Sequence, residues 1–389
     1  MLPASISDYR ELARRRLPRM IFDYIDGGAY AEVTLQRNVA DIEAIALRQR
    51  VMKDMTQLSM GVSLFGQQLS MPLALAPVGM AGMYGRRGEV QAAKAAKAAA
   101  VPFCLSTVGI CPLEEVARDA GTPPWFQLYM LKDRGYMREL LARAKAVGSQ
   151  VLVFTVDLPV PGTRYRDVRS GLSSRAAGPG AGINRVWQGL TRPGWLWDVY
   201  LNGRPHVFGN VAGAVPQARG FNDFWGWIGA NFDRSVAWKE IDWVRESWDG
   251  PIVLKGVLDV EDARDAVRAG ADGIVVSNHG GRQLDGVKSS IAALPRIADA
   301  VGGDLTVLMD GGIRSGLDIL KALALGAKGV LIGRAWAFAL GAGGQPMIER
   351  MLGTLRAELA TAMILTGCTD AGRADKTLLD EASLKKLAR

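Results

Sequence analysis

Val151-Leu152-Val153-Phe154-Thr155-Val156-Asp157 is an almost unbroken apolar run that closes on a carboxylate. A strand with one face in water alternates apolar and polar residues. A run without alternation is expected of a parallel strand buried on both faces. Three similar runs precede it: Leu73-Ala74-Leu75-Ala76-Pro77, Phe103-Cys104-Leu105-Ser106 and Trp125-Phe126-Gln127-Leu128-Tyr129. Four follow it: Ile252-Val253-Leu254-Lys255, Gly273-Ile274-Val275-Val276-Ser277, Leu305-Thr306-Val307-Leu308-Met309-Asp310 and Gly329-Val330-Leu331-Ile332-Gly333. Helical stretches lie between them, among them Gly88 to Ala100, Asp133 to Val147, Val260 to Ala269 and Ser315 to Leu325. Eight alternating units predict an α/β chain folded as a (β/α)8 TIM barrel. A doubly wound open sheet is the alternative. The polar residues that end the runs favour the barrel, whose chemistry gathers at the C-terminal strand ends.

Two helices are expected ahead of the first run. One runs from Tyr9 to Arg16, capped by Ser7 or Asp8, and a second from Pro18 to Ile25 stops at Gly27-Gly28. The fourth unit is abnormal, because residues 158–251 separate it from the fifth strand and barrel connections are short. The chain is therefore read as one barrel domain, residues 1–389, carrying an insertion at about 171–248. Eight of the ten tryptophans fall between Trp187 and Trp248. From Arg175 to Arg219 there are five arginines and one acid, Asp198. That composition suits an anionic membrane surface, a cover or oligomer contact at the barrel mouth, or stacking on single-stranded nucleic acid.

Composition narrows the classes further. The 389 residues are 49% hydrophobic and 22% charged, which excludes a disordered chain. Three cysteines make no disulfide framework and no zinc-type pair, so a reducing compartment is expected. Two histidines exclude a His-rich metal site, and no metal is expected. The net charge of +8 suits anionic partners. No secretory signal is read at the N-terminus, and no apolar run reaches the ~18 residues of a spanning helix.

The block Ser277-Asn278-His279-Gly280-Gly281-Arg282-Gln283-Leu284 carries the strongest chemical signal. Its histidine suits general-base work, its arginine fork matches a carboxylate, and its paired glycines let backbone approach a ligand. Asp310-Gly311-Gly312-Ile313-Arg314 and Gly333-Arg334 follow strands seven and eight, where barrels bind phosphate on backbone N–H groups. Lys255 ends strand five within a buried run, where its charge needs a partner or a developing anion. Asp157 could orient His279.

These residues resemble the FMN-dependent α-hydroxy-acid oxidising enzymes. The resemblance rests on Ser277–Leu284 and spans nearly the whole chain outside Gly171 to Trp248. It also takes in the Tyr24–Gly28 region, Ala76-Pro77, Phe126-Gln127-Leu128-Tyr129, Thr155-Val156-Asp157 and Lys255-Gly256. It implies FMN as cofactor. Pro77, Val78, Gly79, Ser106, Gln127, Thr155 and Lys255 would surround the ring, and Ser277 and Asp310 would lie toward the ring and ribityl chain. Gly312, Arg314, Gly333 and Arg334 would hold the phosphate, and Gly311 would also contact the cofactor. Tyr24, Arg164 and Arg282 would receive a substrate carboxylate, Tyr129 would bond its hydroxyl, and His279 with Asp157 would take the proton. The expected substrate is a small 2-hydroxy acid.

The stretch Val160–Asp167 resembles the bacterial, quinone-linked branch that oxidises L-lactate, and Gly79 replaces the alanine of many oxidases. This implies a homotetramer, peripheral on the cytoplasmic side of the inner membrane through its tryptophan-rich insertion. No nucleic-acid partner is implied. A cytoplasmic oxidase that makes hydrogen peroxide and a mandelate-type dehydrogenase are the alternatives within the family. A phosphate-binding barrel without catalysis is the alternative outside it.

Overall fold

The computed structural model describes residues 2–172, 180–214, 226–227 and 230–387. All eight apolar runs are strands of one parallel sheet: β1 (Leu73–Leu75), β2 (Cys104–Ser106), β3 (Trp125–Tyr129), β4 (Leu152–Thr155), β5 (Ile252–Val257), β6 (Gly273–Val276), β7 (Thr306–Asp310) and β8 (Gly329–Ile332). Neighbours pair in chain order and β8 returns to β1. A bridge between Leu75 and Phe103 closes β1 onto β2, so the sheet is a nearly closed barrel. Nearly every strand residue is buried, which explains the lack of alternation. Asp133 and Ser315 cap the helices that follow them, each accepting a backbone N–H from the first turn.

Helices α1 (Ile6–Arg16) and α2 (Arg19–Asp26) precede the barrel, followed by α3 (Val33–Glu43). The cap of α1 is Ser5, two residues earlier than expected. Asp8 is instead the first-turn acid that reaches back to the Ser5 N–H at 3.0 Å. α1 packs on the helix Arg334–Gly343 at Gly341, where an added Cβ would lie 2.8 Å from Leu17. α2 lies across the barrel mouth and brings Tyr24 to it.

The insertion between β4 and β5 contains α4 (Tyr165–Ser170), α5 (Gly180–Leu190), a π-turn over Leu196–Leu201 and a helix over Glu240–Ser247. Its tryptophans divide. Trp195 and Trp248 are core residues whose indoles donate to the carbonyls of Met83 and Pro251. Trp243 lies under the guanidiniums of Arg134 and Arg138. Trp187 and Trp197 are exposed. The cluster therefore splits between core residues and exposed ones. Arg175, Arg219 and Trp225 lie outside the described residues. No described helix is long and apolar enough to cross a membrane.

Candidate active site

The C-terminal strand ends and the insertion enclose a cavity of about 650 Å³. His279 reaches it from the loop after β6. Its φ is 57°, and Gly280 and Gly281 follow at 65° and 72°. Left-handed backbone at a histidine is uncommon and is held here by its own N–H, which donates to Ser277 Oγ at 3.0 Å. The turn aims the ring at Asp157, and Nδ1 lies 2.9 Å from Asp157 Oδ1. Burial would raise the Asp157 carboxyl, but His279 and Lys255 beside it hold it below the ordinary carboxylate value. An ionised Asp157 accepts from Nδ1–H and fixes the tautomer, leaving the lone pair on Nε2 for a ligand. Gly256 makes room for this carboxylate: a Cβ at the β5 bulge would lie 2.5 Å from Asp157 Cβ.

Two guanidiniums lie over the Tyr24 ring, Arg282 at 4.8 Å from its centroid and Arg164 at 5.4 Å. Arg282 donates to the carbonyls of Tyr24 and Gly27 at 2.5 and 3.0 Å, so the C-terminal end of α2 orients it. Burial and Arg164 lower its pKa from the ordinary arginine value, which marks a place where an anion would be welcome. Tyr129 lines the same cavity, and burial pushes its phenol up, so it is a neutral donor.

A cationic cradle occupies the other end. Lys255 Nζ lies 2.7 Å from Asp310 Oδ2 and 3.0 Å from Ser277 Oγ. Burial alone would lower its pKa, but Asp310 and Asp157 outweigh burial and raise it. Arg334 donates to the carbonyls of Ile25, Gly280 and Gly27, and Arg314 to that of Ile313. Burial lowers the pKa of both guanidiniums, and among the described residues neither is in an ion pair with a carboxylate. Gly312, at φ 88°, comes so close to α3 that an added Cβ would lie 2.0 Å from the Asn38 carbonyl oxygen.

The family model described as FMN-dependent dehydrogenase matches residues 13–381. The chain belongs to the FMN-dependent dehydrogenase family. This family member is 59% identical over 379 residues to a protein named L-lactate dehydrogenase from Caulobacter sp. (strain K31), covering 97% of the chain and 99% of that relative. A Pseudomonas aeruginosa (strain UCBPP-PA14) protein of the same name is 59% identical over 372 residues, covering 96% and 97%. Among solved structures, the monotopic membrane protein (S)-mandelate dehydrogenase aligns with a TM-score of 0.91 at 32% identity, covering 98% of this chain and all of that one. Mandelate oxidase with (S)-4-hydroxymandelic acid aligns with a TM-score of 0.83 at 38% identity, covering 97% and 98%.

The residues present fit the cofactor of an FMN-dependent dehydrogenase. Gln127 Nε2 and Asp310 Oδ1 are buried without a hydrogen-bond partner among the described residues. A flavin offers polar edges for such groups, and its phosphate suits two buried arginines beside closely approaching glycine backbone. Of the residues expected to hold it, Pro77, Val78, Gly79, Thr155, Lys255, Asp310, Gly311, Gly312, Arg314, Gly333 and Arg334 line the cavity. Ser106, Gln127 and Ser277 stand outside the lining. Ser106 and Thr107 donate to Gln127 Oε1, at 3.1 and 3.2 Å, and Ser277 holds Lys255 and the His279 backbone.

Tyr24, Tyr129, Arg164, His279 and Arg282 all line the same cavity, and Asp157 supports His279 from behind. Sequence reasoning assigned no role to Val108, Asp167, Phe232 or Arg234, which also line it. Phe232 stands edge-on to Tyr129 at 5.3 Å between centroids, and Val108 would meet a Cβ at Gly79 at 2.7 Å. Phe232 and Arg234 come from the aperiodic insertion, where no spacing announces them.

Proposed function

We propose that the protein oxidises L-lactate to pyruvate and passes the electrons to a membrane quinone. The observation that carries this reading is the His279–Asp157 pair facing one cavity with the Arg164/Arg282 pair and the cationic cradle. The name L-lactate dehydrogenase on relatives of about 59% identity supports the choice of acid.

In this reading the substrate carboxylate lies against Arg282 and Arg164, and its hydroxyl against Tyr129 and His279 Nε2. His279 takes the hydroxyl proton, and Asp157 stabilises the imidazolium that forms. When bound, FMN would supply the two-electron acceptor for the Cα hydrogen, which leaves as hydride, so that this hydride and the proton on His279 account for both hydrogens lost in forming pyruvate. Lys255 supplies the buried cation that opposes negative charge accumulating in the cradle. Two charged anchors on the carboxylate hold the reacting carbon in one pose. Turnover with L-lactate and a dye acceptor, and its absence with D-lactate, tests the assignment.

Arg282→Lys tests the anchoring. Lysine keeps the charge but loses the planar fork that reaches two carbonyls and a ligand together. A fall in kcat/KM of roughly 30-fold or more is expected, the ~2 kcal/mol lower bound for disturbing a buried charged contact. Steady-state kinetics at unchanged FMN content check it, and an unchanged kcat/KM would remove Arg282 from the substrate site.

Peripheral membrane attachment is the second part of the reading. On α5, Ile183, Val186, Trp187 and Leu190 recur at helical spacing and are 75%, 63%, 65% and 56% exposed. Trp197 is exposed as well, at 68%. Full burial of each such side chain contributes ~1.5–3 kcal/mol, enough in sum to hold a protein on a lipid surface. The similar solved protein described as monotopic supports it. A Trp187→Glu/Trp197→Glu double variant should stop floating with anionic vesicles while keeping its dye-linked activity. A variant that still floats would place the attachment elsewhere.

A further inference from the structure

Asp167 is a buried carboxylate to which the reaction above gives no task. It stands on α4, lines the active-site cavity and is only 7% exposed. Its Oδ2 lies 3.6 Å from Arg164 Nη1, and its Oδ1 has no hydrogen-bond partner among the described residues. Arg164 Nε is buried and unpartnered in the same way. The pair is thus close but not fully engaged, beside a second buried guanidinium, that of Arg282.

The surrounding charges show what Asp167 balances. Arg164 faces it from the start of its own helix, and Arg282 from the loop after β6. On α2, Tyr24 lies under both guanidiniums, while Asp23 pairs with Arg19 and Asp26 with Arg10 and Arg166. His279, Arg234, Tyr84 and Tyr129 also line the cavity, with Lys255, Asp310, Arg314 and Arg334 in its cationic cradle. Asp167 is the one carboxylate close enough to Arg164 to make an ion pair among the described residues. Two arginines therefore share one acid in a desolvated site, where an unbalanced charge is costly.

We propose that Asp167 is the resident counter-anion of the Arg164/Arg282 pair, so that binding a substrate carboxylate there is linked to uptake of a proton by Asp167. The inference rests on the reading of those arginines as the carboxylate site. A second carboxylate beside the same guanidiniums repels Asp167 and raises its pKa, since like charges disfavour ionisation. Burial already raises that carboxyl above its ordinary value, against the pull of Arg164 and Arg282. The sign follows: the ionised acid opposes the incoming anion, and carboxylate affinity rises as falling pH protonates it. Asp167 is a positioning residue in this account. It keeps Arg164 in place when no substrate is bound and gives way when one is.

The test is binding of pyruvate to the FMN-loaded protein, read from the flavin absorbance between about pH 5 and pH 8. Asp167→Asn should bind pyruvate about tenfold more tightly than the natural protein at about pH 8, the effect of one pKa unit. The difference should narrow as pH falls and Asp167 takes up its proton. The two proteins differ only at position 167, so the gap between the two curves belongs to Asp167. Asp167→Ser, equally neutral and smaller, should behave in the same way and serves if the asparagine variant fails to hold FMN. Parallel curves, or weaker binding by both variants at every pH, would overturn the proposal and leave Asp167 a purely structural prop. Failure of the underlying reading looks different: Arg282→Lys would then leave pyruvate affinity unchanged.

Discussion

Replacing His279 with glutamine should slow flavin reduction by L-lactate roughly 10²–10⁴-fold, the span attributed to a general base, while FMN stays bound. The expectation comes from the fixed tautomer. Asp157 accepts from Nδ1–H at 2.9 Å, so Nε2 is the only ring nitrogen with a free lone pair. Glutamine fills similar space and cannot take a proton. The groups proposed to cradle the cofactor, Lys255, Arg314 and Arg334, are held by contacts that do not use the imidazole ring. Asp157→Asn should act in the same direction, because an amide opposite Nδ1 no longer favours the correct tautomer or steadies the imidazolium. Stopped-flow reduction under argon, with FMN content measured in parallel, checks both. Near-natural reduction by the glutamine variant would remove His279 from proton transfer.

Lys255→Met should have the largest effect on stability. Lys255 is 4% exposed, and its ammonium is the partner of Asp310 at 2.7 Å. Methionine fills the volume but leaves Asp310 buried without a cation, a loss of about 3–5 kcal/mol for breaking one side of a buried pair. The raised pKa of Lys255 means that its contribution is complete below the ordinary lysine value and is lost as pH climbs through the folded-state value. Asp157, whose pKa is lowered, contributes above the ordinary carboxylate value and loses that contribution as pH falls through its folded-state value. Near neutrality both are at full strength, so the variant shows its whole defect there. Adding Asp310→Asn should recover much of the melting temperature, since both charges are then gone, but not the reduction rate. Thermal melts of both variants decide the matter, and a single variant as stable as the natural protein would mean that the ion pair contributes nothing net.

The barrel was legible because parallel strands buried on both faces leave continuous apolar runs, and all eight runs became strands. The hairpin Val62–Leu64/Gln67–Leu69 was not, because its strands have three residues each and its Phe65-Gly66 turn is not a strong hairpin signal. The site was readable wherever unusual residue types stood at strand ends. His279, Arg282 and Lys255 are such residues, and the structure brings them to one cavity. Asp167, Phe232 and Arg234 were passed over because an acid on a short helix, or an aromatic in an aperiodic insertion, looks the same whether it faces solvent or a ligand. The tryptophans show the same limit of composition. Trp195 and Trp187 stand eight positions apart, yet one donates to the Met83 carbonyl within the core and the other lies open to solvent. Only the packing partner distinguishes them.

The visible spectrum of the purified protein under argon, before and after L-lactate is added, tests the proposed reaction most directly. An oxidised flavin spectrum is expected that bleaches with L-lactate and persists with D-lactate, with one pyruvate formed for each flavin reduced. A protein without a flavin spectrum, or a flavin that L-lactate leaves oxidised, would contradict it.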